Sequence, residues 1–253
     1  MRIIDLSAPI APTPPGALPY ERIEIAYSDH AQGARAVESL FQVGPHLLRD
    51  REGWAVEEFT RLHTHSVTHV DAPWHYNSRI GGERSATIDE LPLKWFFSDG
   101  VVLDLCHKAD GEHVTVADIE SALDQTGYAL KPLDIVLLRT GRDAFYGQAD
   151  YSLRGCAVDA AATRWLYERG VRVMGIDAWG WDGPLARQAQ QALEKNEPGI
   201  FWASHQADLA YSQIERLVNL GSLPPFGFKV ACFPLKIAGG SAGPARVVAI
   251  LQG

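Results

Sequence analysis

The chain has 253 residues, enough for one large α/β domain or two small ones, either with a full core. Its 46% hydrophobic and 21% charged residues exclude the apolar-poor profile of a disordered chain. A formal net charge of −8 repels phosphate backbones and anionic lipid, which excludes nucleic acid as an expected partner and a membrane surface with it.

Ile3 to Leu6 reads as a short strand, and the segment from Pro9 to Pro19 must be extended or turning because proline fixes φ and lacks an N–H. From there to Arg51 the pattern is irregular, so residues 1–52 are expected to be one strand followed by a covering arm. Val101 to Leu105 predicts a buried strand. Thr115-Val-Ala-Asp118 then has capping-box spacing, and Val116, Ile119 and Leu123 repeat on one helical face until Gly127. Asp134 to Arg139 is a second buried strand; Asp159 to Arg169 is a helix stopped by Gly170, leading into a strand from Val171 to Asp177. Leu185 to Glu194 and Gln206 to Leu217 are expected as helices, and Val230 to Ile237 and Val247 to Leu251 as late strands. Alternating strand and helix predicts an α/β fold, a mixed sheet core flanked by helices. No repeat or linker marks a boundary, so residues 1–253 are read as a single domain.

Four of the nine histidines fall in His63-Thr-His65-Ser-Val-Thr-His69-Val-Asp71-Ala-Pro-Trp-His75. Thr64, Val67, Thr68 and Val70 are β-branched and Pro73 opposes a continuing helix, so the stretch reads as a strand ending in a turn. On a strand His65, His69 and Asp71 share one face, whereas a helix would rotate Asp71 away from His69 by about 200°. Two imidazoles and a carboxylate on one face suit Zn²⁺, Mn²⁺ or Fe²⁺ with positions left for water and substrate. Cys106, Cys156 and Cys232 include no Cys-x-x-Cys and leave one thiol over in any disulfide scheme. That pattern fits a reducing compartment, and with no signal-peptide core or membrane-length apolar run the expectation is a cytoplasmic protein.

The run His65-Ser-Val-Thr-His69-Val-Asp71-Ala-Pro73-Trp-His75 resembles the His-x-Gly-Thr-His-x-Asp-x-Pro-x-His signature of the cyclase-like metal hydrolases. That family includes bacterial kynurenine formamidases, isatin hydrolases and enzymes acting on lactones. The resemblance extends through Gly175-Ile-Asp177, His205, Glu215 and the tail from Phe233 to Pro244, together with the opening Ile4-Asp5-Leu6-Ser7. It implies a swivelling β/β/α-type fold, assembly as a homodimer or homotetramer, and one or two Zn²⁺ or Mn²⁺ ions per chain. It further implies His65, His69 and Asp71 as first-metal ligands and His205 and Glu215 as completing a second site that Asp71 bridges. His75 takes the catalytic acid/base role. Val67 stands where the family signature has glycine, which bears on substrate choice rather than on metal binding.

The implied activity is hydrolysis, by metal-activated water, of a small cyclic amide, lactone or N-formyl arylamine. Trp54, Trp74, Trp179, Trp181 and Trp202 lie in or near the matched segments, where an aromatic face stacks a flat ring, and Trp74, Trp179 and Trp181 are expected to bind substrate. The extra residues between Arg187 and Trp202 suggest a lid or an oligomer contact and argue against a strict kynurenine formamidase. That enzyme is the first alternative. A catalytically silent metal-binding scaffold is a second, which His75 argues against, and an oxygenase on the two-histidine, one-carboxylate set is a third.

Overall fold

The run Ile135–Arg139 carries apolar residues at consecutive positions, a pattern that suits a strand buried on both faces. In the computed structural model, which describes residues 1–13 and 19–252, this strand lies at the centre of a mixed sheet. Among the described residues nine strands form that sheet, in the order Arg2–Asp5, Val248–Leu251, Phe228–Ala231, Phe97–Asp104, Ile135–Arg139, Val173–Ile176, Ser212–Glu215, His69–Asp71, Ala242–Pro244. The four strands from Phe97–Asp104 to Ser212–Glu215 run parallel, and the remaining neighbours pair antiparallel. The fold is α/β, as the alternation of strands and helices predicts.

Side-chain alternation splits the core across the sheet. Val101, Leu103, Val136, Leu138, Met174 and Ile176 pack with Ile119, Ala122, Ala162 and Leu166 of the helices Val116–Thr126 and Ala160–Glu168. Val102, Ile135, Leu137, Val173, Ile214 and Val70 face the opposite way, against Leu6, Ile88, Leu91, Phe96 and Val247. The first helix begins at the Thr115/Asp118 capping box and stops at Gly127, whose φ of 68° is the left-handed cap that glycine accepts without a Cβ clash.

The chain divides into two compact units, Met1–Pro9 with Val67–Gly253, which holds the sheet, and Ile10–Ser66. In the smaller unit the strands Glu24–Ser28 and Val56–Arg61 pair antiparallel. Between them, where the sequence reads as irregular, stands the helix His30–Phe41, capped reciprocally by Asp29 and Gln32. Gly33 makes it possible: a Cβ there would stand 1.8 Å from the Trp54 carbonyl oxygen. The proline-rich segment between Pro9 and Pro19 lies partly, at residues 14–18, outside the described residues.

Two other expectations are corrected. Gln206 to Leu217 is not a helix: Ser212–Glu215 is a strand parallel to Val173–Ile176, and all four of its residues are buried. Pairing on both edges outweighs the weak β-propensity of Ser, Gln and Glu. In the histidine-rich run the strand is only His69–Asp71; residues 64–68 form turns and bends. Pro73 opens a short helix, Pro73–Tyr76, at the first position, where its missing N–H has no intrahelical partner to lose.

Candidate metal centre

The antiparallel pairing of His69–Asp71 with Ser212–Glu215 sets Glu215 directly opposite His69. Cross-strand partners project to one side, and Asp71, two residues from His69, shares that side. His69 and Asp71 are fully buried and Glu215 is 7% exposed. The ligand atoms of the three lie within 4.8 Å of one another. His69 Nε2 is 3.2 Å from Asp71 Oδ1 and 3.7 Å from Glu215 Oε2. The other oxygen of each carboxylate faces His205, whose Nε2 is 4.0 Å from Asp71 Oδ2 and 3.7 Å from Glu215 Oε1. Two carboxylates therefore stand between two imidazoles, each presenting one oxygen to either ring.

Hydrogen bonds fix which nitrogen each ring offers. His69 Nδ1–H donates to the Val67 carbonyl at 2.6 Å, leaving the Nε2 lone pair toward the carboxylates. His205 Nδ1 is held by Asp182 Oδ2, which also accepts the His205 backbone N–H at 3.2 Å, while Asp182 Oδ1 accepts Ser204 N–H at 2.7 Å. Glu215 Oε1 accepts the backbone N–H of Trp181 at 2.9 Å.

The charges are arranged against burial. Desolvation raises the Glu215 carboxyl above the usual range, and the Asp71 charge raises it further. Burial pulls the His205 imidazole down, but the Asp182 carboxylate outweighs it and pushes the ring up to about 9. The same contest, with Asp71 as the main opposing charge, raises His69. Packing two carboxylates together in a dry pocket is unfavourable in a bare protein and favourable around a cation, and oxygen with imidazole nitrogen is the donor set of Zn²⁺ or Mn²⁺. The residues present fit a divalent metal ion.

His75, half-buried on the short helix after the strand, sits beside this group, its ring centroid 5.7 Å from that of His205 and 5.0 Å from that of Trp202. Trp202 stacks on His205 at 4.8 Å with 9° between the planes. Trp74 is 39% exposed. Trp179 is half-buried with the Arg216 guanidinium 4.8 Å from its ring centre. Trp181 has no surface to offer a substrate: it is fully buried and its indole N–H donates to Thr163 Oγ1 at 2.9 Å. It contributes to the centre through its backbone N–H on Glu215 instead. His65 belongs to the smaller unit, in the turn four residues before His69. Asp177 takes no part in the donor set. It caps the neighbouring strand end by accepting Thr140 N–H at 2.7 Å and Gly141 N–H at 2.8 Å.

Sequence reasoning missed Asp182, whereas Trp202 does lie beside the centre, against His75 and His205. Asp182-Gly-Pro reads locally as a turn, and nothing in it signals a partner 23 residues later. The helix Leu185–Lys195 overlaps the first part of the Arg187 to Trp202 segment. Among the described residues no helix is long and apolar enough to cross a membrane.

The family model described as "Putative cyclase" matches residues 4–183. A kynurenine formamidase of Salinibacter ruber is 31% identical over 196 residues, covering 74% of this chain and 76% of that protein. Isatin hydrolase A from Labrenzia aggregata, solved with benzyl benzoate bound, superposes with a TM-score of 0.70 at 24% identity, over 100% of this chain and 94% of that one. A structure described as a predicted metal-dependent hydrolase from Bacillus stearothermophilus gives 0.65 at 21% identity, over 99% and 98%. At these identities the two structures speak for the fold. With most of its length matched by the family model, the chain belongs to the cyclase family.

Proposed function

We propose that the protein is a divalent-metal-dependent hydrolase that cleaves a C–N or C–O bond in a small cyclic amide, lactone or N-formyl arylamine. The observation that carries the reading is the pair of buried carboxylates, Asp71 and Glu215, set between the Nε2 atoms of His69 and His205. The kynurenine formamidase and isatin hydrolase names of its relatives support amide hydrolysis. His69, Asp71 and Glu215 would hold one ion, and His205 with the far oxygens of the carboxylates would hold a second. A divalent ion in such a site polarises a carbonyl and lowers the pKa of water toward neutrality.

The chain's own residues do the rest. His75 stands at the edge of the donor group, its ring 5.7 Å from that of His205, and its imidazole passes the proton to the leaving nitrogen or oxygen. Trp202 packs edge-on to His75 at 5.0 Å and Trp74, the residue before His75, is exposed, and such aromatic surface favours a substrate with a flat ring. Burial of Asp71 and Glu215 keeps bulk water from screening the charges that orient the substrate.

The test is a hydrolysis screen of N-formylkynurenine, isatin and an aromatic lactone, with and without chelator. Chelator-sensitive turnover of at least one supports the reading. Turnover of N-formylkynurenine alone favours the strict formamidase alternative, and turnover of none, with metal supplied, contradicts it.

A further inference from the structure

Asp182, Gln188 and Trp202 together hold one imidazole. Asp182 is 7% exposed, His205 4% and Gln188 8%, so their hydrogen bonds face no competition from water. The Asp182 carboxylate takes three donors from one stretch of chain: Ser204 N–H, His205 N–H and His205 Nδ1. Gln188 projects from the helix Leu185–Lys195 and donates through Nε2 to the carbonyls of Asp182 at 2.9 Å and Gly183 at 3.0 Å. Its Oε1 accepts Trp202 N–H at 2.9 Å. Trp202 has φ of 62°, left-handed backbone that a bulky residue adopts only when its surroundings impose it. What they achieve is the stacking of the indole on His205. His205 is thus fixed in tautomer by Asp182 and in plane by Trp202, and both of these are tied to the same glutamine.

The geometry points to a positioning role for this network: Asp182 and Gln188 set the tautomer and orientation of His205, and through it the affinity of the His205 side of the centre for a divalent ion. This assigns a purpose to the helix Leu185–Lys195, whose outer face is solvent-exposed at Leu193 and whose one buried residue is Gln188. It rests on the reading of His205 as a metal ligand. An asparagine at position 182 has one oxygen for donors that now use two. In either orientation a backbone N–H of Ser204 or His205 loses its acceptor. With its amide toward the ring it donates to Nδ1 and drives the proton onto Nε2, the atom meant to bind metal.

The test uses the full chain, stripped by chelator and titrated with Co²⁺, for the parent, Asp182→Asn and Gln188→Met. Stoichiometry comes from elemental analysis and ligand geometry from the visible Co²⁺ bands. The parent is expected to bind two equivalents. Asp182→Asn should keep the first at parental affinity, which also shows that it folds, and bind the second about 10- to 100-fold more weakly with altered bands. Gln188→Met should shift the second equivalent in the same direction by less, and it decides the matter if Asp182→Asn does not fold. Unchanged affinities and bands for every equivalent in the folded variants would overturn the proposal. A parent that binds no Co²⁺ refutes the metal-centre reading itself, an outcome visible without either variant.

Discussion

Replacing Glu215 by Gln should stabilise the metal-free protein while removing its stabilisation by metal, a pair of opposite signs that a purely structural carboxylate does not give. The Glu215 carboxyl is buried and raised by desolvation and by Asp71. With ligand oxygens within 4.8 Å, two unit charges at an effective dielectric of 20 repel by about 3 kcal/mol. Attraction to the His205 and His69 rings, each 3.7 Å away, works against this repulsion, so the gain comes from the desolvation of the buried carboxylate, the largest cause of its raised pKa, and should be about 1–4 kcal/mol. Gln keeps a carbonyl oxygen for the Trp181 N–H, so the hydrogen bond to Glu215 survives the change. Because the folded-state pKa is raised, the penalty in the parent appears only as pH rises through it, and the gain should shrink in acid. Urea unfolding in chelator at neutral pH measures the gain. Repeating it with Zn²⁺ or Mn²⁺ at about 100 times the Kd should stabilise the parent by about 2.7 kcal/mol and the variant by much less. A variant less stable than the parent in chelator and equally stabilised by metal would refute the reasoning.

His75→Ala should cut turnover about 10²- to 10⁴-fold while metal content stays at the parental value; equal turnover removes His75 from the mechanism. Trp181→Phe should lower stability by about 1–3 kcal/mol, by loss of a buried hydrogen bond and of core volume, with KM unchanged, since the ring packs inside and donates to Thr163. Asp177 gives a pH signature: burial pushes its carboxyl up to about 6, so its contribution is present in acid and lost as pH rises toward neutrality. From pH about 4 to about 8 the parent should lose up to about 3 kcal/mol relative to Asp177→Asn, read from urea unfolding at each pH.

The part of the centre built on one strand is legible in the sequence. His69 and Asp71 share parity, and Val70 between them faces the apolar core. The same parity does not carry back to His65, because the strand begins only at His69. Glu215 was harder to place: Ser-Gln-Ile-Glu reads as a helix surface, and only its two neighbouring strands, one starting 39 residues earlier at Val173, make it a buried strand. The helix His30–Phe41 escaped because its buried residues, Gly33, Ala34 and Val37, are small, although Asp29 and Gln32 do spell its capping box. Asp182 had no signal at all, since its role depends on where the chain returns at Ser204 and His205.

The central claim is that His69, Asp71, His205 and Glu215 exist to hold metal. Elemental analysis of the protein purified without added metal, for the parent and for Asp71→Ala, tests it most directly. The account predicts one or two equivalents of zinc or manganese per parent chain, lost in the variant. A parent that carries no metal and takes up none when it is supplied would contradict it.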